Sequence, residues 1–163
     1  MTEQAGLELF KTELFKCLEE TFERTHGIYL DRGTSLFDTI EGVSAQEASR
    51  SSGKNCATLA AQVEHVAFYL DVLVDIIKNE NIEKINWRAI WENVREVTPE
   101  RWEEQKQKLR ESHRQILDTL KNYDKWDSEY GISGALAVLT HTAYHLGGLR
   151  QALCAIRSNT TND

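Results

Sequence analysis

Two histidines spaced four residues apart, His141 and His145, are the residues of this chain best suited to chemistry. They lie in residues 139–150, a stretch that reads as helix. On a helix, positions i and i+4 stack on one face with Cβ atoms about 6 Å apart, so two imidazoles can share one metal ion. A third histidine, His65, falls in the middle of another predicted helix. Three neutral imidazoles around a divalent ion leave one coordination position open, as in catalytic metal sites.

Four long segments with the apolar period of a helix must position these histidines. Their apolar positions run over residues 7–22, 59–77, 102–120 and 133–156. Asn55 is the predicted N-cap of the second helix. Thr98 as N-cap, followed by Pro99 at the first helical position, gives the third helix a well-marked start.

The connections between these helices predict the architecture. Residues 27–55 and 80–97 are too long for simple helical hairpins, and they contain a predicted short helix over residues 36–40 and a helical turn with Trp87 and Trp91. Long connections permit a crossover, so the pattern predicts an all-α protein built as a four-helix bundle with non-sequential antiparallel neighbours. We expect one domain over residues 1–157 and a disordered polar tail over 158–163.

Composition excludes several classes of protein. Hydrophobic residues make up 40% and charged residues 28% of the 163 residues, which is typical of a globular protein and not of a disordered one. The net charge of -7 argues against a nucleic-acid partner, because phosphate binding needs a concentrated basic surface. The chain has no apolar signal region and no stretch long enough to span a bilayer, so we expect a cytoplasmic protein with no membrane partner.

Three widely spaced cysteines, Cys17, Cys56 and Cys154, form no Cys-x-x-Cys pair. A thiolate zinc site, a redox motif and a disulfide framework are therefore all disfavoured. The cysteines lie at or near apolar positions of the predicted helices, and we interpret them as buried filling residues and not as nucleophiles.

Other interpretations of the histidines remain open. His65, His141 and His145 lie at the edges of the apolar stripes, where water or backbone could satisfy them without any metal. His113 falls on the core stripe of the third helix and is predicted to be a buried structural histidine. His26 ends the first helix and is predicted to cap it. A di-iron carboxylate site needs two Glu-x-x-His motifs, and only Glu23 with His26 matches.

Three segments resemble the DinB/YfiT-like family of metal-binding four-helix bundles. Residues 35–48 resemble the family's turn between the first two helices, residues 58–69 the helix that carries the first metal histidine, and residues 141–150 the His-x-x-x-His helix. Mapped by residue, the metal ligands are His65, His141 and His145, and Gly147 and Arg150 also fit. The departure is Gly148, where the family commonly has glutamine.

The resemblance implies an up-down-down-up bundle, a divalent nickel or zinc ion and a homodimer. Characterised relatives are S-transferases that use low-molecular-weight thiols such as bacillithiol or mycothiol, or maleylpyruvate isomerases. The first functional hypothesis is therefore a metal-dependent thiol S-transferase that acts on a small thiol and an electrophile. The second is a non-catalytic metal-binding or small-ligand-binding bundle, such as a stress-response sensor. The third is a dimeric interaction module whose site has decayed.

Overall fold

The computed structural model describes residues 3–80, 85–87, 91, 94–126 and 128–160. Within these residues the chain is built from α-helices, and the only β-type pairing is an isolated bridge between Ser51 and Thr58. The all-α class predicted from the sequence is confirmed. The described residues form six helices, which are α1 (Glu3–Phe22), α2 (Leu36–Glu41), α3 (Ala45–Ala48), α4 (Leu59–Asn79), α5 (Pro99–Lys121) and α6 (Glu129–Thr160).

The chain divides into two compact units, Met1–Gly42 and Val43–Asp163. The first unit contains α1, α2 and the loop between them. The carboxylate of Glu20 on α1 organises that loop by accepting four backbone N–H groups, from His26, Ile28, Tyr29 and Leu30. The predicted short helix over residues 36–40 is present as α2, and Ser35 caps it by accepting from Asp38 N–H.

The second unit contains α3 to α6. Its helix α4 begins later than the Asn55 cap predicts, because Thr58 is the N-cap and its hydroxyl accepts the N–H of Ala61 at 3.2 Å. The predicted start of α5 is confirmed, with Thr98 accepting from Arg101 N–H and Pro99 in the first turn.

Helix α6 is longer than its apolar pattern suggests. It begins at Glu129, before the predicted start near Ser133. At this observed start, the hydroxyl of Ser128 accepts the N–H of Gly131 at 3.3 Å. It continues to Thr160, three residues into the predicted polar tail. The helical turn predicted around Trp87 and Trp91 spans residues 88–90, which lie outside the described residues.

Helix α4 is the central element of the second unit and packs against both α5 and α6. Gly134 brings α6 close to α4, since a Cβ there would lie 2.8 Å from Ile77 Cγ1. Trp102 on α5 is buried and donates from its indole N–H to the Val43 carbonyl at 2.7 Å. In the part of the chain that the structure describes, no helix combines the length and apolarity needed to cross a membrane.

Candidate metal centre

The three predicted ligand histidines converge between α4 and α6. His65 lies one third of the way along α4, while His141 and His145 lie one turn apart on α6. His65 is 7% exposed and His145 is 9% exposed, and His141 is half-buried. The edge-of-stripe positions expected from the sequence therefore place all three imidazoles in the seam between two packed helices.

The distances within the triad suit a single ion. His65 Nε2 lies 3.1 Å from His141 Nε2, and one ligand nitrogen from each ring lies within 4.8 Å of the others. The ring centroids are separated by 4.5 to 5.0 Å. Ligand nitrogens about 2.0–2.1 Å from a tetrahedral zinc ion are about 3.4 Å apart, so only small side-chain adjustments would be needed. Three histidines of this chain lie close enough to hold a metal ion.

Burial keeps the triad neutral, which is the form that binds metal. Desolvation lowers the pKa of His65. Desolvation, with added repulsion from the other two imidazoles, lowers the pKa of His141 to about 3. Desolvation and the proximity of His65 lower the pKa of His145 to about 4. Each ring therefore presents a nitrogen lone pair near neutral pH.

Two ring nitrogens of the triad have no hydrogen-bond partner among the residues that the structure describes. His65 Nδ1 and His141 Nδ1 are buried and make no hydrogen bond to the residues that the structure describes. Histidine ligands usually donate their second ring N–H to a carboxylate or carbonyl, which fixes the tautomer. Here neighbouring aromatic rings hold the imidazoles instead.

These aromatic rings form the walls of the site. Tyr69, one turn after His65 on α4, stacks on His141 with 3.5 Å between ring centroids and 9° between planes. Trp91 lies 4.4 Å from His65, centroid to centroid, and Trp87 packs edge-on against His65 at 6.4 Å. The histidines are thus positioned by face and edge contacts that exclude water from most of the seam.

A cavity of about 550 Å³ opens beside the triad. Two of the three histidines reach it, and the remaining lining is small, aromatic or uncharged polar. Its lining residues are Ala57, Gln62, His65, Trp91, Tyr144, His145 and Gly148. A volume of this size accommodates a small organic molecule.

Gly148 and Gln62 both line this cavity and lie close together. A Cβ at position 148 would lie 3.2 Å from Gln62 Oε1, so the glycine leaves room for the glutamine side chain. The resemblance suggested that an amide is missing at position 148. The structure places an amide next to that position from α4.

The other two histidines lie away from the triad. His113 is 4% exposed on α5, which confirms its predicted burial. His26 follows α1 and places its Nε2 2.6 Å from Glu19 Oε2, so its side chain pairs with a carboxylate. Within the described residues, the group of side chains close enough for a metal site contains no carboxylate, which leaves the di-iron alternative without a cluster.

The cysteines are less buried than their apolar neighbours suggested. Cys56 and Cys154 are exposed and Cys17 is half-buried, so their interpretation as buried filling residues is wrong. Cys56 lies in the loop before α4, while Cys154 occupies an outward-facing position of α6. Burial, with the nearby Glu20 and Glu13 charges, raises the pKa of Cys17 and makes it a poorer nucleophile.

Sequence reasoning found the triad but missed Gln62 as a part of the site. The signal was present, because Gln62 precedes His65 by three residues and so shares its helical face. Tyr144 precedes His145 directly and gave no such signal.

The chain matches no family model, no curated protein and no solved structure.

Proposed function

We propose that this chain is a metal-dependent thiol S-transferase of the DinB-like type, in which His65, His141 and His145 hold a divalent nickel or zinc ion. Its four long helices would form an up-down-down-up bundle. The observation that supports the proposal is the convergence of three neutral imidazoles, two buried and one half-buried, from two helices beside a cavity.

A bound divalent ion would supply Lewis acidity that lowers the pKa of a thiol near it. In the overall reaction, a thiol R–SH loses its proton to solvent and its sulfur attacks an electrophilic carbon R′–X. A C–S bond forms, the C–X bond breaks, and X⁻ leaves with the bonding electrons. The chain itself would hold the ion, exclude water with Tyr69 and Trp91, and bind R′–X in the cavity.

No cysteine of the chain takes part in this mechanism. Cys17, Cys56 and Cys154 lie outside the cavity lining. We therefore expect a folded variant with all three cysteines replaced by serine to keep its activity and its metal. An inactive but metal-loaded cysteine-free protein would rule the mechanism out.

A second candidate is a non-catalytic bundle that binds a metal ion or a small ligand. One observation favours it: among the residues that the structure describes, the cavity lining carries no Asp, Glu, Lys or Arg that could serve as a general acid or base. The two candidates share the metal centre and differ in turnover.

Metal content tests the centre directly. The protein is purified without a histidine tag, and bound metal is measured by inductively coupled plasma mass spectrometry. We expect about one nickel or zinc ion per chain, and loss of that ion in His141→Ala and His145→Ala. His26→Ala is the matched control, because His26 pairs with Glu19 away from the triad. Equal metal content in the triad variants and the control would refute the metal centre.

Turnover separates the two candidates. Thiol consumption is followed with a small thiol and an alkylating electrophile, before and after chelation and after metal is restored. We expect activity that disappears with the chelator and returns with the metal. A protein that binds metal stoichiometrically but consumes no thiol would favour the binding role.

A further inference from the structure

The cavity beside the triad has a chemical character of its own. Two aromatic side chains, Trp91 and Tyr144, stand on its walls, and Gln62 contributes a primary amide. Tyr144 is 77% exposed, an unusual position for so large a ring, and packs edge-on against His145 at 5.2 Å. An exposed ring at the mouth of a cavity offers a free face to a bound molecule.

The lining also limits the charge of an occupant. Among the residues that the structure describes, the lining contains no Asp, Glu, Lys or Arg. A charged molecule that enters this cavity would lose hydration without gaining an ion pair from these lining side chains. Aromatic faces and an uncharged amide suit a neutral, flat molecule.

Gln62 is the side chain that would fix the orientation of that molecule. Its Oε1 lies 3.2 Å from the point where a Cβ of residue 148 would stand, so the amide occupies the space that Gly148 leaves open. The neighbouring Gly147 has no atom within 4 Å of its corresponding point. The two adjacent glycines of α6 therefore differ in one respect, which is the contact with Gln62.

We propose that this cavity binds a neutral, flat, conjugated molecule that stacks on Trp91 and Tyr144 and hydrogen-bonds through a carbonyl or amide group to Gln62. The inference rests on the proposed function in naming this molecule as the electrophile R′–X. The binding site itself does not require metal. Gln62 is then a specificity-determining residue, and Gly148 is the residue that makes room for it.

The test uses 2-naphthamide as the probe and follows the tryptophan indole N–H signals by NMR, with Trp91→Phe assigning the Trp91 signal. Trp102, buried and hydrogen-bonded to Val43, serves as the internal reference. We expect a saturable shift of the Trp91 signal, with a Kd on the order of 1 mM or tighter, and no shift of Trp102. In the metal-free protein, the saturated analogue decahydronaphthalene-2-carboxamide and the anion 2-naphthoate should each bind about fivefold more weakly or worse.

Variants test the assigned residues. Gln62→Leu and Tyr144→Ala should each weaken 2-naphthamide binding about fivefold or more. Gly148→Ala should weaken it about twofold to fivefold by displacing the amide, while Gly147→Ala should leave it unchanged. If Gln62→Leu does not fold, Tyr144→Ala decides, because this side chain is 77% exposed and its removal leaves no buried cavity.

Several results would overturn the inference: no saturable shift at Trp91, equal binding of the saturated amide, tighter binding of the anion, or unchanged affinity in both Gln62→Leu and Tyr144→Ala. Zinc titration by calorimetry on the same samples separates the two proposals. Zinc binding without naphthamide binding removes only the cavity assignment. Naphthamide binding without zinc binding supports the cavity assignment and removes the metal-dependent function.

Discussion

His113 is surrounded differently from the histidines of the triad. Its side chain is buried on α5, and three cations of the same helix lie near it, Lys121, Arg110 and Arg114. Desolvation, reinforced by the Lys121, Arg110 and Arg114 charges, lowers the pKa of His113 to about 4. The folded state therefore keeps this imidazole neutral at pH values where the unfolded chain protonates it.

This difference predicts how stability depends on pH. As the pH falls below about 6.5, His113 becomes protonated in the unfolded state but stays neutral in the folded state. The free energy of unfolding therefore decreases by up to roughly 3 kcal/mol near pH 4. His113→Ala should cost about 2–3 kcal/mol at pH 7.5 through its cavity and lost hydrogen bonding. The difference in the free energy of unfolding between wild type and His113→Ala should shrink toward pH 4, because the variant has no imidazole whose protonation favours the unfolded state.

Urea unfolding of both proteins between pH 7.5 and pH 4 measures the deficit. The triad histidines titrate in both proteins and cancel in the difference. Metal content should be equal in the two proteins, since His113 is not a predicted ligand. A deficit that stays constant with pH, or a variant that loses its metal, would contradict this assignment.

At the scale of residues, the sequence predicted which histidines come together better than it predicted their surroundings. The i,i+4 spacing of His141 and His145 survives in the structure because helix geometry fixes it. The stacking of Tyr69 on His141 joins two helices and depends on their packing and on side-chain rotamers, which one helical period does not specify. The place of Trp91 against His65 depends on a connection whose path the pattern does not determine.

Among the helices, α4 and α6 approach each other closely at Gly134. A Cβ there would lie 2.8 and 2.9 Å from Ile77 Cγ1 and Cδ1, and Ile77 is fully buried. Gly134→Ala should therefore destabilise the protein by about 1–3 kcal/mol despite the better helix propensity of alanine. Thermal or urea unfolding measures the change.

Gly147→Ala is the matched control on the same helix. Nothing lies within 4 Å of its Cβ position, and the residue is exposed. This substitution should raise the free energy of unfolding by up to about 1 kcal/mol through helix propensity alone. If both alanine variants are equally stable, the close approach of α4 and α6 at Gly134 does not restrict the side chain.

The loop after α1 depends on one carboxylate. Burial would raise the pKa of Glu20, but the N–H groups of the 26–30 segment outweigh burial and lower it to about 2. Glu20→Gln replaces one acceptor oxygen with a donor that faces these N–H groups, so it should cost about 2–3 kcal/mol at pH 7. Because the pKa is lowered on folding, the stabilisation is complete above about pH 4.5 and is lost as the pH falls toward 2.

Glu13→Gln provides the comparison for this prediction. Glu13 lies on the same helix and forms an exposed ion pair with Lys16, so its loss should change stability by less than about 0.5 kcal/mol. Unfolding at pH 7 and pH 3 measures both variants. Equal effects of the two substitutions would show that the Glu20 hydrogen bonds do not hold the loop.

Helix boundaries show where sequence reasoning reached its limit at the scale of elements. Both Asn55 and Thr58 are acceptable caps by residue type, and only the hydrogen bond to Ala61 decides between them. The start of α6 was placed too late, because Gly131 and Gly134 weaken the apolar pattern there. Ser128 and the close packing on Ile77 compensate for the two glycines.

For the whole molecule, we expect a homodimer. Several large apolar side chains are exposed, with Leu9 52%, Ile28 47% and Leu136 39% accessible. Symmetric pairing of two chains is the commonest way to cover such surface. Sedimentation equilibrium at micromolar concentration should give twice the chain mass of 18.7 kDa.

Charge substitutions can locate the dimer interface. Leu9→Glu and Leu136→Glu introduce a charge on different units of the chain, and the one that lies in the interface should shift the equilibrium toward monomer. A wild-type protein of monomer mass would refute the dimer.

At the scale of the whole molecule, the sequence predicted the helical class, because period and composition determine it. The order in which helices neighbour one another depends on contacts between distant segments, which no local pattern encodes.

The contact between Trp91 and His65 gives the protein an optical reporter. The Trp91 indole lies 4.4 Å from the His65 imidazole, centroid to centroid. A paramagnetic ion bound to that imidazole would be close enough to quench the excited state of the indole. Titration with Ni²⁺ or Cu²⁺ should therefore dim the tryptophan emission, while Zn²⁺, which has a filled d shell, should leave most of its intensity. Trp91→Phe should reduce the metal-dependent component, so tryptophan emission would distinguish a paramagnetic ion from zinc in the triad.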